Sequence, residues 1–117
     1  MTTENTILEM SFNFSLQIID LYKILIQNKE YLFSKQILRS GTSSGANVEE
    51  AFAAQSRKGF TSKMSIASKE SRETRYWLRL LDKSKLVDVN YTIYLSSVEH
   101  IINILTKIVK TTQETVP

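Results

Sequence analysis

Leu38-Arg39-Ser40-Gly41-Thr42-Ser43-Ser44-Gly45-Ala46-Asn47-Val48-Glu49-Glu50-Ala51 is the stretch that decides how many helices this chain forms. By propensity its middle is a loop. Two glycines four residues apart cost roughly 2 kcal/mol inside a helix, and Ser and Thr favour turns and caps. By periodicity it is a helix, because Ile37, Gly41, Ser44, Gly45, Val48, Ala51 and Phe52 keep the three-and-four spacing of one face. Small residues on a face let a neighbouring backbone approach closely. A loop would leave two short helices; a helix would run over residues 31–55. Propensity and periodicity together leave both open.

The flanking sequence is unambiguous. Over residues 6–28, Phe14, Ile18, Leu21, Tyr22, Leu25 and Ile26 mark one helical face, and Gln27-Asn28-Lys29-Glu30 reads as the first turn. Over 57–83, with Ser56 as N-cap, Phe60, Met64, Ala67, Ser71, Thr74, Leu78 and Leu81 alternate by four and three. Ile66, Glu70, Glu73, Trp77 and Leu80 repeat that alternation beside them, a sector broad enough for an interface inside the bundle and another between chains. Over 90–112, after Asn90 as a cap, Tyr91, Tyr94, Val98, Ile101, Leu105 and Ile108 do the same, and Thr111 to Pro117 is expected to fray. Four amphipathic helices joined by short turns predict one all-α domain over 1–117, an antiparallel up-down four-helix bundle.

Composition narrows the function. The chain has 117 residues, no Cys and one His. A disulfide scaffold, a thiolate zinc site, a Cys nucleophile and a multi-His metal centre within one chain are all excluded. No apolar run nears the ~20 residues of a membrane span. Met1-Thr2-Thr3-Glu4-Asn5 lacks the basic region of a signal peptide, so a cytoplasmic location is expected.

Charge is uneven. Residues 57–85 hold nine basic and three acidic side chains, a net +6, while the rest of the chain nets −3. Lys69, Arg72, Tyr76, Arg79 and Lys83 fall on one stripe with Arg75 beside it. Such a stripe suits an anionic partner, nucleic acid above all; a merely solvated helix face fits it too.

Two further runs matter: Ala54-Gln55-Ser56-Arg57-Lys58-Gly59-Phe60-Thr61-Ser62-Lys63-Met64, and Ala67-Ser68-Lys69-Glu70-Ser71-Arg72-Glu73-Thr74-Arg75-Tyr76-Trp77-Leu78. Together with the opening stretch they resemble the bacterial four-helix bundle family encoded in intervening sequences of 23S ribosomal RNA genes. The resemblance implies an up-down bundle in which the Gly/Ser stretch is helical. It also implies a homopentamer, because the family is similar to the accessory variability protein of diversity-generating retroelements, a pentameric barrel that binds nucleic acid and a reverse transcriptase. Arg39, Asn47, Glu50, Lys63, Glu70 and Trp77 fall on the family's recurrent pattern. The chain departs from it at Ser43-Ser44, where many relatives carry Ile-Pro, and at Val48, where they carry Ile. At Gly59 they carry Asp or Glu, which puts a cap or charge pair there in question.

Catalytic constellations are missing from the sequence. Glu70-Ser71-Arg72-Glu73 lacks the His of the Glu-x-x-His that di-metal bundles use, and His100 follows Glu99 directly, so no metal or cofactor is expected. Glu50 or Glu70 instead suits a buried pair with Arg39 or Lys63 across the bundle. No Gly-x-Ser-x-Gly elbow follows a strand, and Gly41-Thr42-Ser43-Ser44-Gly45 has no Lys for phosphate. Trp77 fits a packing anchor better than a stacking platform; Tyr76, among cations, is the stacking candidate. The expectation is a non-enzymatic oligomeric bundle that binds RNA or a nucleoprotein partner through the third helix. A protein-interaction scaffold with no nucleic-acid role is the alternative.

Overall fold

Residues 38–51 are helical throughout. They form the middle of the second of four helices in a computed structural model that describes residues 3–115. The helices are α1 (Thr3–Gln27), α2 (Leu32–Phe52), α3 (Arg57–Ser84) and α4 (Thr92–Thr115). The glycines work because α1 lies against them. A Cβ on Gly41 would stand 2.8 Å from Cγ1 of Ile18, and one on Gly45 would stand 3.1 Å from the Ser11 carbonyl oxygen. Close approach of the two backbones offsets the poor helix propensity of this stretch.

Each helix begins and ends for a local reason. Glu30 caps α2 from outside: Oε1 accepts the N–H groups of Leu32 and Phe33 at 3.0 Å, and Oε2 that of Ser34 at 2.7 Å. Ser56 Oγ accepts the Gly59 N–H at 3.0 Å, so α3 has its cap without an acid at position 59. Lys85, at φ 57°, closes α3 in the left-handed conformation. Asn90 Oδ1 accepts the Thr92 N–H at 3.0 Å and opens α4.

Several boundaries differ from the sequence expectation, with α1 beginning at Thr3 rather than residue 6 and α4 at Thr92 rather than residue 90. α2 stops at Phe52 rather than residue 55, because the N–H groups of Ala53 and Ala54 tighten the last turn onto the Glu50 and Ala51 carbonyls, both at 3.1 Å. α4 continues through Thr111 to Thr115 rather than fraying there. Thr112 is buried, and its hydroxyl donates to the Ile108 carbonyl at 2.7 Å. Val116 and Pro117, like Met1 and Thr2, lie outside the described residues.

The helices pack in chain order, α1 on α2, α2 on α3 and α3 on α4, with a lighter contact of α4 on α1 closing the square. α1 and α3 therefore stand diagonally across the core. That core runs the length of the bundle. Ile18 and Leu25 of α1, Val48 of α2, Met64 and Leu78 of α3, and Leu105 of α4 are all fully buried. An up-down four-helix bundle is the fold.

Candidate nucleic-acid interface

On α3, Lys69, Arg72, Tyr76, Arg79 and Lys83 are exposed and Arg75 is half-buried. Their spacing puts them on one side of the helix; the neighbouring helix then sorts them. Arg75 Nη1 pairs with Glu99 Oε2 of α4 at 3.0 Å, so its charge is matched. Arg72 Nη2 donates to the neutral Thr106 hydroxyl at 3.0 Å. That bond steadies the guanidinium and leaves its charge uncompensated. Among the described residues no carboxylate lies within 4 Å of Arg72, Arg79 or Lys83.

Arg72 also lines a groove of about 280 Å³ between α3 and α4, with Ser65, Ser68, Thr106, Lys110 and Gln113 on its walls. Two cations among hydroxyls and an amide offer charge and hydrogen bonds to a phosphate. Lys110 escapes a reading confined to one helix, because its sequence neighbourhood suggests only a partner for the α4 dipole. Its distance from Arg72 in the chain hides that they share a groove.

The residues on the family pattern gather on the other flank of α3, against α2. Arg39 Nη1 meets Glu70 Oε2 at 3.1 Å, and Arg39 Nη2 also donates to Glu73 Oε2. Trp77 Nε1 donates to the same Glu73 oxygen at 3.0 Å. The Trp77 N–H, and then the Arg39 guanidinium, hold the Glu73 carboxyl below the usual carboxylate range; Glu73 in turn raises Arg39. The Trp77 ring meets Phe33 and Tyr76 edge-on, with centroids 5.7 and 5.4 Å away. Lys63 Nζ reaches Glu50 Oε1 at 3.3 Å. Asn47 Nδ2 donates back to the Ser43 carbonyl at 2.9 Å.

These ion pairs lie at the surface and not in the core: the Arg39 side chain is 51% exposed and that of Glu50 57%. The buried polar groups between α2 and α3 are hydroxyls. Ser44 Oγ is 2.5 Å from Ser71 Oγ, and Ser71 donates to the Ala67 carbonyl at 2.9 Å. Thr74 Oγ1 lies 2.7 Å from Ser40 Oγ and 2.9 Å from the Glu70 carbonyl. Neutral groups carry a far smaller desolvation cost than an ion pair, which is why they occupy this seam. Their signal in the sequence is that Ser71 and Thr74 interrupt the apolar series of α3.

Comparison with known proteins shows the family of the chain. A family described as 23S rRNA-intervening sequence protein matches residues 3–107. The crystal structure of a protein of unknown function from the S23 ribosomal protein family of Bacteroides thetaiotaomicron VPI-5482 superposes with a TM-score of 0.88. It is 42% identical, over 93% of this chain and 99% of that one. No curated protein matches. The chain belongs to the 23S rRNA-intervening sequence protein family.

Proposed function

Taking that membership as the premise, we propose that the protein is a non-enzymatic, oligomeric bundle of the bacterial cytoplasm that binds RNA through the α3–α4 face. One observation carries the proposal: Arg72, Arg79 and Lys83 are exposed cations without a carboxylate partner among the described residues, and Arg72 shares a hydroxyl-lined groove with Lys110. Phosphate contacts of this kind favour structured RNA with little choice of sequence. A homopentamer, the assembly the family resemblance implies, would repeat the face five times and raise a weak contact to a strong one. Among the described residues no helix is long and apolar enough to cross a membrane.

A labelled structured RNA titrated across a salt series tests the proposal. Binding should weaken steeply with salt. Arg72→Glu/Arg79→Glu should lower affinity at least tenfold near 0.1 M salt and reduce the salt slope by about one for each phosphate that is no longer neutralised. Unchanged affinity in that variant overturns the assignment of this face. Failure to bind at low salt favours the second reading, a protein-interaction scaffold, for which the Phe33–Trp77–Tyr76 cluster speaks: Trp and Tyr recur at the centres of protein interfaces.

A further inference from the structure

We propose that the end of the bundle where the α1–α2 and α3–α4 connections meet docks on an anionic lipid bilayer. Tyr31, Leu32 and Leu86 enter the headgroup layer, and Lys29 and Lys85 meet lipid phosphates. The chain lies on the membrane and does not cross it. This surface is separate from the α3–α4 face read for RNA, and it requires neither RNA nor a second copy.

Large apolar side chains gather at this end. Leu32 is 79%, Tyr31 56% and Leu86 55% exposed. They come from two connections far apart in the chain, yet all three line one groove of about 360 Å³. Single exposed side chains need no account, but three that converge on one groove mark an interaction surface. Tyrosine suits the boundary between water and lipid, where its ring and its hydroxyl each find a matching layer.

The lysines carry a separate signal. Lys29 has φ 62° and Lys85 φ 57°, the two positive values among the described non-glycine residues. They follow the ends of α1 and α3, at the position that glycine usually takes because a Cβ is strained there. Around Lys29 the closing bonds are complete. Its N–H donates to the Ile26 carbonyl at 3.0 Å, and that of Glu30 donates to the Leu25 carbonyl at 2.9 Å. Glycine would make the same bonds without the strain. What lysine adds is an exposed charge, and it does so twice at one end of the molecule. Backbone strain retained in this way points to a use for the side chain. Among the described residues no carboxylate lies within 4 Å of either ammonium.

Charge and backbone together select the occupant. Lys35 and Lys83, both exposed, stand within a turn of this end along α2 and α3. Of the nearby acids, Glu30 is occupied by the first N–H groups of α2 and Asp82 is half-buried, which leaves Asp88 exposed. An anionic partner is favoured. A peptide would also seek backbone hydrogen bonds, and this end offers few. The N–H groups of Leu32, Phe33 and Ser34 go to Glu30, that of Leu86 goes to Ser84 Oγ at 3.2 Å, and the turn takes the Leu25 and Ile26 carbonyls. A lipid surface needs none of these groups; it binds apolar side chains flanked by lysines.

Sedimentation with vesicles near physiological salt tests this, with phosphatidylglycerol mixed into phosphatidylcholine compared against phosphatidylcholine alone. The wild type should bind the mixed vesicles and not the neutral ones. Leu32→Ser/Leu86→Ser keeps every charge and should lower affinity at least tenfold. Lys29→Gly/Lys85→Gly should also lower it at least tenfold. That variant should melt no lower than the wild type, because glycine relieves both left-handed positions, so its lost binding does not reflect a damaged fold. Arg72→Glu/Arg79→Glu should bind vesicles as the wild type does, which separates this surface from the RNA face. A wild type that stays in solution with mixed vesicles overturns the proposal and makes the groove a site for an acidic protein partner, whatever the RNA titration shows. Leucine or lysine variants with wild-type affinity overturn it as well. So does loss of vesicle binding in the Arg72→Glu/Arg79→Glu variant, which would put the lipid on the RNA face.

Discussion

Gly41 shows two opposed effects at one position. Replacing it with Ala would gain about 1 kcal/mol of helix propensity. The added methyl would also stand 2.8 and 2.9 Å from Cγ1 and Cγ2 of Ile18, which is fully buried and has no open side to move toward. Overpacking of that kind costs about 1–3 kcal/mol. Gly41→Ala should therefore destabilise the protein by about 1 kcal/mol net, lowering the melting temperature by several degrees. Gly59→Ala is the internal comparison: it is partly exposed, and its nearest neighbour would be Ser56 Oγ at 3.2 Å. Thermal unfolding followed by circular dichroism ranks the two, and a stabilised Gly41→Ala would mean that α1 gives way more easily than its packing indicates.

α2 has no side-chain cap at Tyr31, so its first turn depends on Glu30, whose carboxylate takes three backbone N–H groups. The negative charge also sits favourably at the positive end of the helix. Glu30→Ala should cost about 1–2 kcal/mol in urea unfolding, with Glu30→Gln recovering part of it. An Ala variant as stable as wild type would show that packing alone sets where α2 begins. Nothing in the one-dimensional pattern announces this cap, because Glu is an ordinary turn residue until its side chain folds back. The apolar series of α3, by contrast, is plain in the sequence, and from Met64 to Leu81 every member is buried. Periodicity reports which side of a helix faces inward; it does not report which neighbour lies beside each flank. For that reason the single basic stripe read on α3 divides in the fold. Arg75 turns to Glu99, Arg72 to Thr106 and Lys110, and Arg39 gathers Glu70 and Glu73 from the other side.

The α1–α2 and α3–α4 connections meet at one end of the bundle, where Asn28 to Leu32 line a groove with Leu86 and Val87. Tyr91 closes that end. It is buried, and its hydroxyl donates to the Val87 carbonyl at 3.1 Å. Desolvation, aided by the charges of Asp82 and Glu30, pushes its phenol from the ordinary value of 10 up to about 12. The phenol therefore loses its proton in the unfolded chain before it does so in the folded one. Its contribution to stability is complete below pH 10 and is lost as pH rises from 10 to about 12. The acid side has the opposite sign: Glu73 is held below its ordinary value, so its contribution is lost only as pH falls beneath the range where a free carboxylate protonates. Urea midpoints measured across alkaline pH should thus decline from pH 10. Tyr91→Phe should lower stability at neutral pH by about 1 kcal/mol, the worth of the lost hydrogen bond, and flatten the alkaline decline. A variant with the same alkaline slope as wild type would show that Tyr91 ionises freely, and that the end of the bundle opens to water without unfolding the helices it joins.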